Sequence, residues 1–277
     1  MKISGTLIAD KILEELKKEI YDTKITPHLV IIFASNDPNS ETYIRHKQAA
    51  AEKIGIMATV YRLNQYEEAD YFPLLENLQT DTTIHGIITQ LPIYESWDSQ
   101  KCISAIDPKR DVDGFNPESP FFGATALGVW EMLGAFAHQE NYDTTEEFLR
   151  NKSIVVLGRG RTAGGPTMKL LTAHGFDPIN INSKTPNPDQ LLKNADVIIS
   201  ATGKKHIVTA DKIKKDSYVI GIGVGKEIVD GKAVTFGDID PDIESKAKLY
   251  CPTIGGIGPL TIACLLRNVV IACKNQK

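Results

Sequence analysis

A chain of 277 residues, 42% hydrophobic and 24% charged, carries apolar material for one large globular domain or two of ordinary size. A formal net charge of −4 excludes the global basic field that draws a protein to nucleic acid or anionic lipid. Four cysteines in a chain of this size argue against a disulfide framework, and neither they, which form no C-x-x-C pair, nor the six histidines have metal-ligand spacing, so the expectation is buried thiols and no metal.

Met1 to Asp10 lacks the apolar stretch of a secretory leader, and no apolar run reads as long enough to cross a bilayer. The expectation is therefore a cytoplasmic protein with no membrane partner. Apolar residues at Ile12, Leu13, Leu16 and Ile20 predict a helix over Ala9 to Tyr21. His28 to Phe33 is a continuous apolar run, as in a buried parallel strand. Ser35 to Ser40 reads as a loop, Glu41 to Lys53 as a helix stopped by Gly55, and Val60 to Leu63 as a second strand. Tyr71 to Leu78 is helical and Gly86 to Leu91 is a third strand.

Pro117, Pro120 and Gly123 then break the chain, and Gly128 to Ala137 reads as a bridging helix. The acidic run Asp143 to Glu147 reads as a helix start. Strands are predicted at Ser153–Leu157, Pro178–Ile181, Asp196–Ala201 and Ser217–Gly221, with helices at Pro166–His174, Asp189–Lys193, Asp211–Ile213 and Thr261–Lys274. The alternation predicts an α/β protein with parallel sheets in two domains. They are placed at 1–118, an α/β catalytic domain, and 119–277, a Rossmann-like dinucleotide-binding domain, with the helix 261–274 packing back on the first.

Gly158-Arg159-Gly160-Arg161-Thr162-Ala163-Gly164 follows a β-branched run and opens a helix with Pro166 in its first turn. Gly158, Gly160 and Ala163 match the G-x-G-x-x-G/A dinucleotide pattern, in which glycine lets the backbone approach a pyrophosphate at a helix start. An NAD site places an acid after the next strand, for the ribose 2′-hydroxyl. Here that position reads Asn182-Ser183-Lys184, with no acid. Ser183, Arg159 and Lys184 suit a 2′-phosphate, so the expected cofactor is NADP. Thr202, Gly203 and Gly223, after the following strands, complete the expected cofactor set.

Gln90-Leu91-Pro92 ends an apolar strand, where ligands of open α/β sheets collect. Tyr43 and Lys47, four apart on a helix, share a face, and taken alone read as an ordinary half-exposed pair. Asp111-Val112-Asp113-Gly114-Phe115 taken alone reads as a solvated loop.

With Gly255-Gly256-Ile257-Gly258-Pro259-Leu260-Thr261, these segments stand in the order and at the approximate spacing of one family. The chain resembles the bifunctional methylenetetrahydrofolate dehydrogenase/cyclohydrolases over nearly its whole length. The resemblance implies oxidation of 5,10-methylenetetrahydrofolate to the methenyl form with NADP, then hydrolysis to 10-formyltetrahydrofolate. It implies that Lys47 is the catalytic lysine, that Tyr43 packs against the folate, that Gln90 hydrogen-bonds Lys47, and that Asp113 holds the pterin. Leu91, Pro92, Gly255, Gly256, Pro259 and Thr261 would line the substrate site, and the protein would be a homodimer.

The chain departs from the family at Ile254, where Pro is usual, at Gly160, where Ser is usual, and at Gly221, where Asp is usual. Two alternatives follow: a dehydrogenase that has lost the hydrolytic step, or a folate- or nucleotide-binding protein without turnover.

Overall fold

The computed structural model describes residues 1–229 and 231–276. The chain forms two compact units, one of Asp10–Ala124 with Ile262–Lys277, the other of Met1–Ala9 with Thr125–Thr261.

Helix α1 spans Gly5–Thr23, starting four residues before its expected position. The first unit is then built on β1 (His28–Phe33), α2 (Pro38–Ile54), β2 (Met57–Arg62), α3 (Glu68–Thr80), β3 (Gly86–Thr89) and the short α4 (Ser99–Ser104). Its sheet is parallel in the order β2-β1-β3. The chain leaves β1 to one side and returns on the other, which makes a switch point between β1 and β3. Asp37 starts α2 earlier than the sequence suggests, because its carboxylate accepts the Asn39 and Ser40 backbone N–H groups while Pro38 supplies a preset φ. Gly55 ends the helix in the left-handed conformation, as expected. Tyr71, Leu75, Ile87, Trp97 and Cys102 pack with Val30 and Ile32 into one core.

The second unit contains α5 (Ala124–Gln139), α6 (Thr145–Leu149), β4 (Ile154–Leu157), α7 (Gly164–Ala173), β5 (Ile179–Ile181), α8 (Pro188–Asn194), β6 (Val197–Ser200), β7 (Tyr218–Gly221), β8 (Val224–Val229), β9 (Lys232–Gly237) and β10 (Leu249–Cys251). Thr144 caps α6, which bears out the helix start at the acidic run. Five strands form a parallel sheet in the order β10-β7-β6-β4-β5, and β8 and β9 form a separate antiparallel hairpin. The second switch point lies between β4 and β6.

Three expectations change. Asp211–Ile213 is not an α-helix: a single 3-10 turn occupies Ala210–Lys212, too few residues for α-helical hydrogen bonding to nucleate. The hairpin and β10 lie outside the predicted strands: β8 and most of β9 face solvent and carry no clean hydrophobic alternation, and β10 is a buried run of only three residues. Last, α9 (Ile257–Asn275) is long and apolar enough to cross a membrane by length and composition, where the sequence reading saw no such run. Its apolar window is 72% buried within the protein, as in the core helix of a globular fold. All four cysteines are free and buried.

Candidate active site

In the first unit the buried residues of α2 are Ser40, Ile44, Lys47, Ala51 and Ile54, the 3–4 spacing of a core-facing stripe. A lysine occupies the middle of that stripe and is only 3% exposed. Its ammonium nitrogen donates to Gln90 Oε1 at 2.9 Å and lies 5.0 Å from the Tyr43 ring centroid. Gln90 Nε2 is committed to the Leu91 carbonyl at 2.7 Å, so the amide oxygen is the end turned to the lysine. Gln90 directly follows β3, and its backbone N–H donates to the Ile32 carbonyl of β1, which places it at the switch point. Leu91 and Pro92 follow it, joined to each other by a cis peptide bond. The Ser40 hydroxyl, 2.8 Å from Asp37 Oδ2 and 3.4 Å from the Leu91 carbonyl, ties the start of α2 to this turn.

Burial pushes the Lys47 pKa down, and the nearby Asp113 carboxylate opposes that fall. Burial pushes the Asp113 carboxyl up, with Lys47 opposing. Both groups are thereby driven toward their neutral forms. The segment carrying Asp113 is fixed beside β3: the Ile87 N–H donates to the Arg110 carbonyl at 2.8 Å, and Ile87 and Asp111 form a parallel bridge. Asp111, read from sequence as part of a solvated loop, is buried. Burial raises its pKa to about 6, against the hydrogen bond it accepts from the Asn116 N–H. Asn268 of α9, which the sequence reading missed, donates to the Val112 and Phe122 carbonyls and holds the same segment.

In the second unit Gly158 ends β4 with φ +91°, and a Cβ there would lie 2.5 Å from the Ala201 carbonyl oxygen. A Cβ on Gly164 would lie 2.4 Å from the Gly158 carbonyl oxygen. The turn is therefore pressed against both the helix it opens and the loop after β6. Helix α7 begins at Gly164 with no side-chain cap among the described residues, which leaves its positive end to an anion. Arg159, Gly160, Arg161 and Thr162 are exposed on that turn. Ser183 and Lys184 are exposed after β5, the strand paired with β4. The Gly158 N–H donates to Ile181, and Asn180 Nδ2 donates to the Val156 and Gly158 carbonyls, so the two turns are locked side by side. Thr202 and Gly203 follow β6, and Gly223 follows β7, at the same sheet edge. These residues fit a dinucleotide phosphate.

The structure thus groups the sequence-predicted residues in two places. Tyr43, Lys47, Gln90, Leu91, Pro92 and Asp113 belong to the first unit, and the glycine turn and its neighbours to the second. Gly255, Gly256, Pro259 and Thr261 also fall in the second unit, at the start of α9, where the Thr261 hydroxyl donates to the Ile257 carbonyl. Sequence reasoning also missed Asp238, fully buried beneath the loops after β6 and β7.

A parallel sheet with a glycine turn at its switch point, in a chain whose other α/β unit buries a lysine at its own switch point, defines a two-unit dinucleotide-dependent enzyme. Residues 3–113 match the catalytic domain of the tetrahydrofolate dehydrogenase/cyclohydrolase family, and residues 123–277 match its NAD(P)-binding domain. This chain belongs to that family. The bifunctional protein FolD of Agathobacter rectalis is 35% identical over 286 residues, which cover 98% of each chain. The crystal structure of the bifunctional FolD methylenetetrahydrofolate dehydrogenase/cyclohydrolase of Campylobacter jejuni superposes with a TM-score of 0.89 at 31% identity, covering 100% of this chain and 99% of that one. The Trypanosoma brucei methylenetetrahydrofolate dehydrogenase-cyclohydrolase, complexed with NADP and an inhibitor, gives a TM-score of 0.90 at 26% identity, covering 99% and 97%.

Proposed function

We propose that this protein oxidises 5,10-methylenetetrahydrofolate to 5,10-methenyltetrahydrofolate with NADP and hydrolyses the product to 10-formyltetrahydrofolate. The observation that carries the reading is the buried Lys47 amine, held by a neutral amide oxygen and shifted toward its free-base form. NADP, when bound, supplies the two-electron acceptor for the oxidative step. The protein's part there is to position, with Tyr43 offering a ring face and Asp113 a polar edge to the pterin. Hydrolysis needs more. Water adds to the methenyl carbon, and Lys47 takes the proton it sheds. Lys47 then returns a proton to the folate nitrogen as the carbon–nitrogen bond breaks, and the hydroxyl proton leaves as the formyl carbonyl forms. Gln90 orients the amine without stabilising its charged form as a carboxylate would.

The test mixes protein, methylenetetrahydrofolate and NADP, and follows NADPH together with methenyl absorbance. NADPH produced without methenyl accumulation supports both steps. Methenyl rising in step with NADPH leaves a dehydrogenase alone, and neither signal leaves a binding protein.

Gln90→Glu puts a carboxylate where Lys47 now meets a neutral oxygen. The charge raises the lysine pKa and reduces the free amine at neutral pH. Cyclohydrolase activity is expected to fall roughly 10- to 100-fold at pH 7, with its rising pH limb moved upward. An unchanged pH–rate profile would remove Gln90 from this tuning role.

The NADP reading rests on Arg159, Ser183 and Lys184 on the adjacent turns after β4 and β5, with no acid between. A Cβ on Gly160 meets no described atom within 4 Å, so Gly160→Ser fits without strain. Its hydroxyl adds one phosphate hydrogen bond, expected to lower the NADP KM by about 2- to 10-fold with kcat unchanged. A KM that stays level or rises counts against a phosphate at this turn. A cytoplasmic homodimer completes the reading. Val224, Ile228, Val229 and Val234, exposed on the β8–β9 hairpin, support self-association through the second unit, which sedimentation equilibrium measures.

A further inference from the structure

Asp238 is fully buried, directly after the β8–β9 hairpin. Its Oδ2 accepts from the Ser200 hydroxyl at 2.9 Å, the Thr202 backbone N–H at 2.8 Å and the Gly223 N–H at 3.2 Å. Its Oδ1 accepts from the Thr202 hydroxyl at 3.1 Å. All four donors are neutral, and a carboxylate, acceptor-only, satisfies them together. Its backbone is equally fixed: the Asp238 N–H donates to the Gly223 carbonyl, and the Val208 N–H donates to the Asp238 carbonyl.

Those donors belong to the last residue of β6 and to the loops after β6 and β7, at the carboxyl edge where open α/β sheets bind their ligands. One side chain therefore ties together two of the turns that border the β4/β6 switch point. The packing leaves no slack, since a Cβ on Gly223 would lie 2.3 Å from Gly203 N and 2.4 Å from Asp238 Oδ2. The loop after β6 in turn meets the glycine turn, through Ala201 and Gly158. A shift at Asp238 would act on the loops after β6 and β7 and, through Ala201, on the glycine turn.

We propose that Asp238 is a positioning residue for the dinucleotide: it presets the Thr202–Gly203 and Gly223 loops, and cofactor binding depends on it although it does not itself touch the ligand. The inference rests on the function proposed above and deepens its cofactor site. Asp238→Asn keeps the shape and lets the Thr202 hydroxyl reverse to accept from the new amide. Ser200→Ala removes a single donor and spares the fold if the first variant does not. For each, the NADP Kd is measured by titration of the folded protein, and cyclohydrolase turnover is measured on supplied methenyltetrahydrofolate without cofactor.

The expected result is a Kd raised about 10-fold in Asp238→Asn and about 5-fold in Ser200→Ala, with cyclohydrolase turnover within twofold of the parent. A purely structural role would lower thermal stability and leave the Kd of the folded fraction unchanged. Kd values within twofold in the folded variants, or a loss of hydrolysis in parallel with the loss of NADP affinity, overturn the proposal. A parent protein that binds no dinucleotide overturns the proposed function, and this inference with it.

Discussion

Lys47→Met is expected to abolish methenyl hydrolysis, a loss of at least about 1,000-fold, while NADP-dependent oxidation falls far less. The two halves of the reaction ask different things of this side chain. Oxidation of the methylene bridge forms a cation that the folate nitrogens stabilise themselves, so it needs the reactants held in place. Hydrolysis needs a base whose proton affinity matches neutral pH, and burial brings the Lys47 amine toward that range. Methionine is close to lysine in length and suits a site inside the stripe of Ser40, Ile44, Ala51 and Ile54. The swap removes a buried amine and leaves Gln90 Oε1 without its donor, a cost of about 1 kcal/mol that lost desolvation of the amine offsets. The swap also removes the charge that opposes the burial of Asp113, whose carboxyl is then driven further toward its neutral form, so the melting temperature is measured beside the rates to separate chemistry from stability. Methenyltetrahydrofolate consumed at the parental rate by a folded Lys47→Met protein would remove the lysine from the mechanism.

Much of this arrangement is legible along the chain, and what is not has a common cause. The parallel α/β architecture follows from continuous apolar runs such as Leu29 to Phe33 and Ile154 to Leu157, because strands covered on both faces leave no polar alternation. The glycine turn is legible because its requirements are local: Gly158 needs positive φ and Gly164 needs room, and only glycine offers both. Lys47 is half legible. Its 3–4 spacing from Ile44 and Ala51 marks a buried stripe, but a lysine there reads as surface until Gln90, 43 residues on, supplies an acceptor. Asp111 and Asp238 are not legible at all. Each looks like a loop acid. Asp111 is turned inward by its own loop, where the Asn116 N–H five residues on donates to it, whereas Asp238 takes donors from Ser200, Thr202 and Gly223, 15 to 38 residues away. Hydrogen bonds that cross between strands leave no periodic mark in the sequence.

The second large effect is expected at Gly158→Ala: an NADP Kd raised by about 100-fold or more, equivalent to about 2.7 kcal/mol. Two costs act together. At φ +91° an L-residue carries strain of about 1–2 kcal/mol. The new methyl would also sit 2.5 Å from the Ala201 carbonyl oxygen, backbone that cannot swing aside as a flexible side chain would. The relief available is for the turn after β4 to lift away from the loop after β6, which opens the switch point where the phosphate would lie. The β4 strand itself is held by its pairing with β5 and β6, so the displacement concentrates in the turn and not in the sheet. Thermal stability should fall by a few degrees, and the fold should survive. Cyclohydrolase turnover on supplied methenyltetrahydrofolate should remain above half the parental rate, because Lys47, Gln90 and Asp113 belong to the other unit. Gly160→Ser, two residues away and free of any clash, serves as the control that separates crowding at one glycine from alteration of the turn in general. A Gly158→Ala protein that binds NADP within threefold of the parent would show that the pyrophosphate does not rest on this turn.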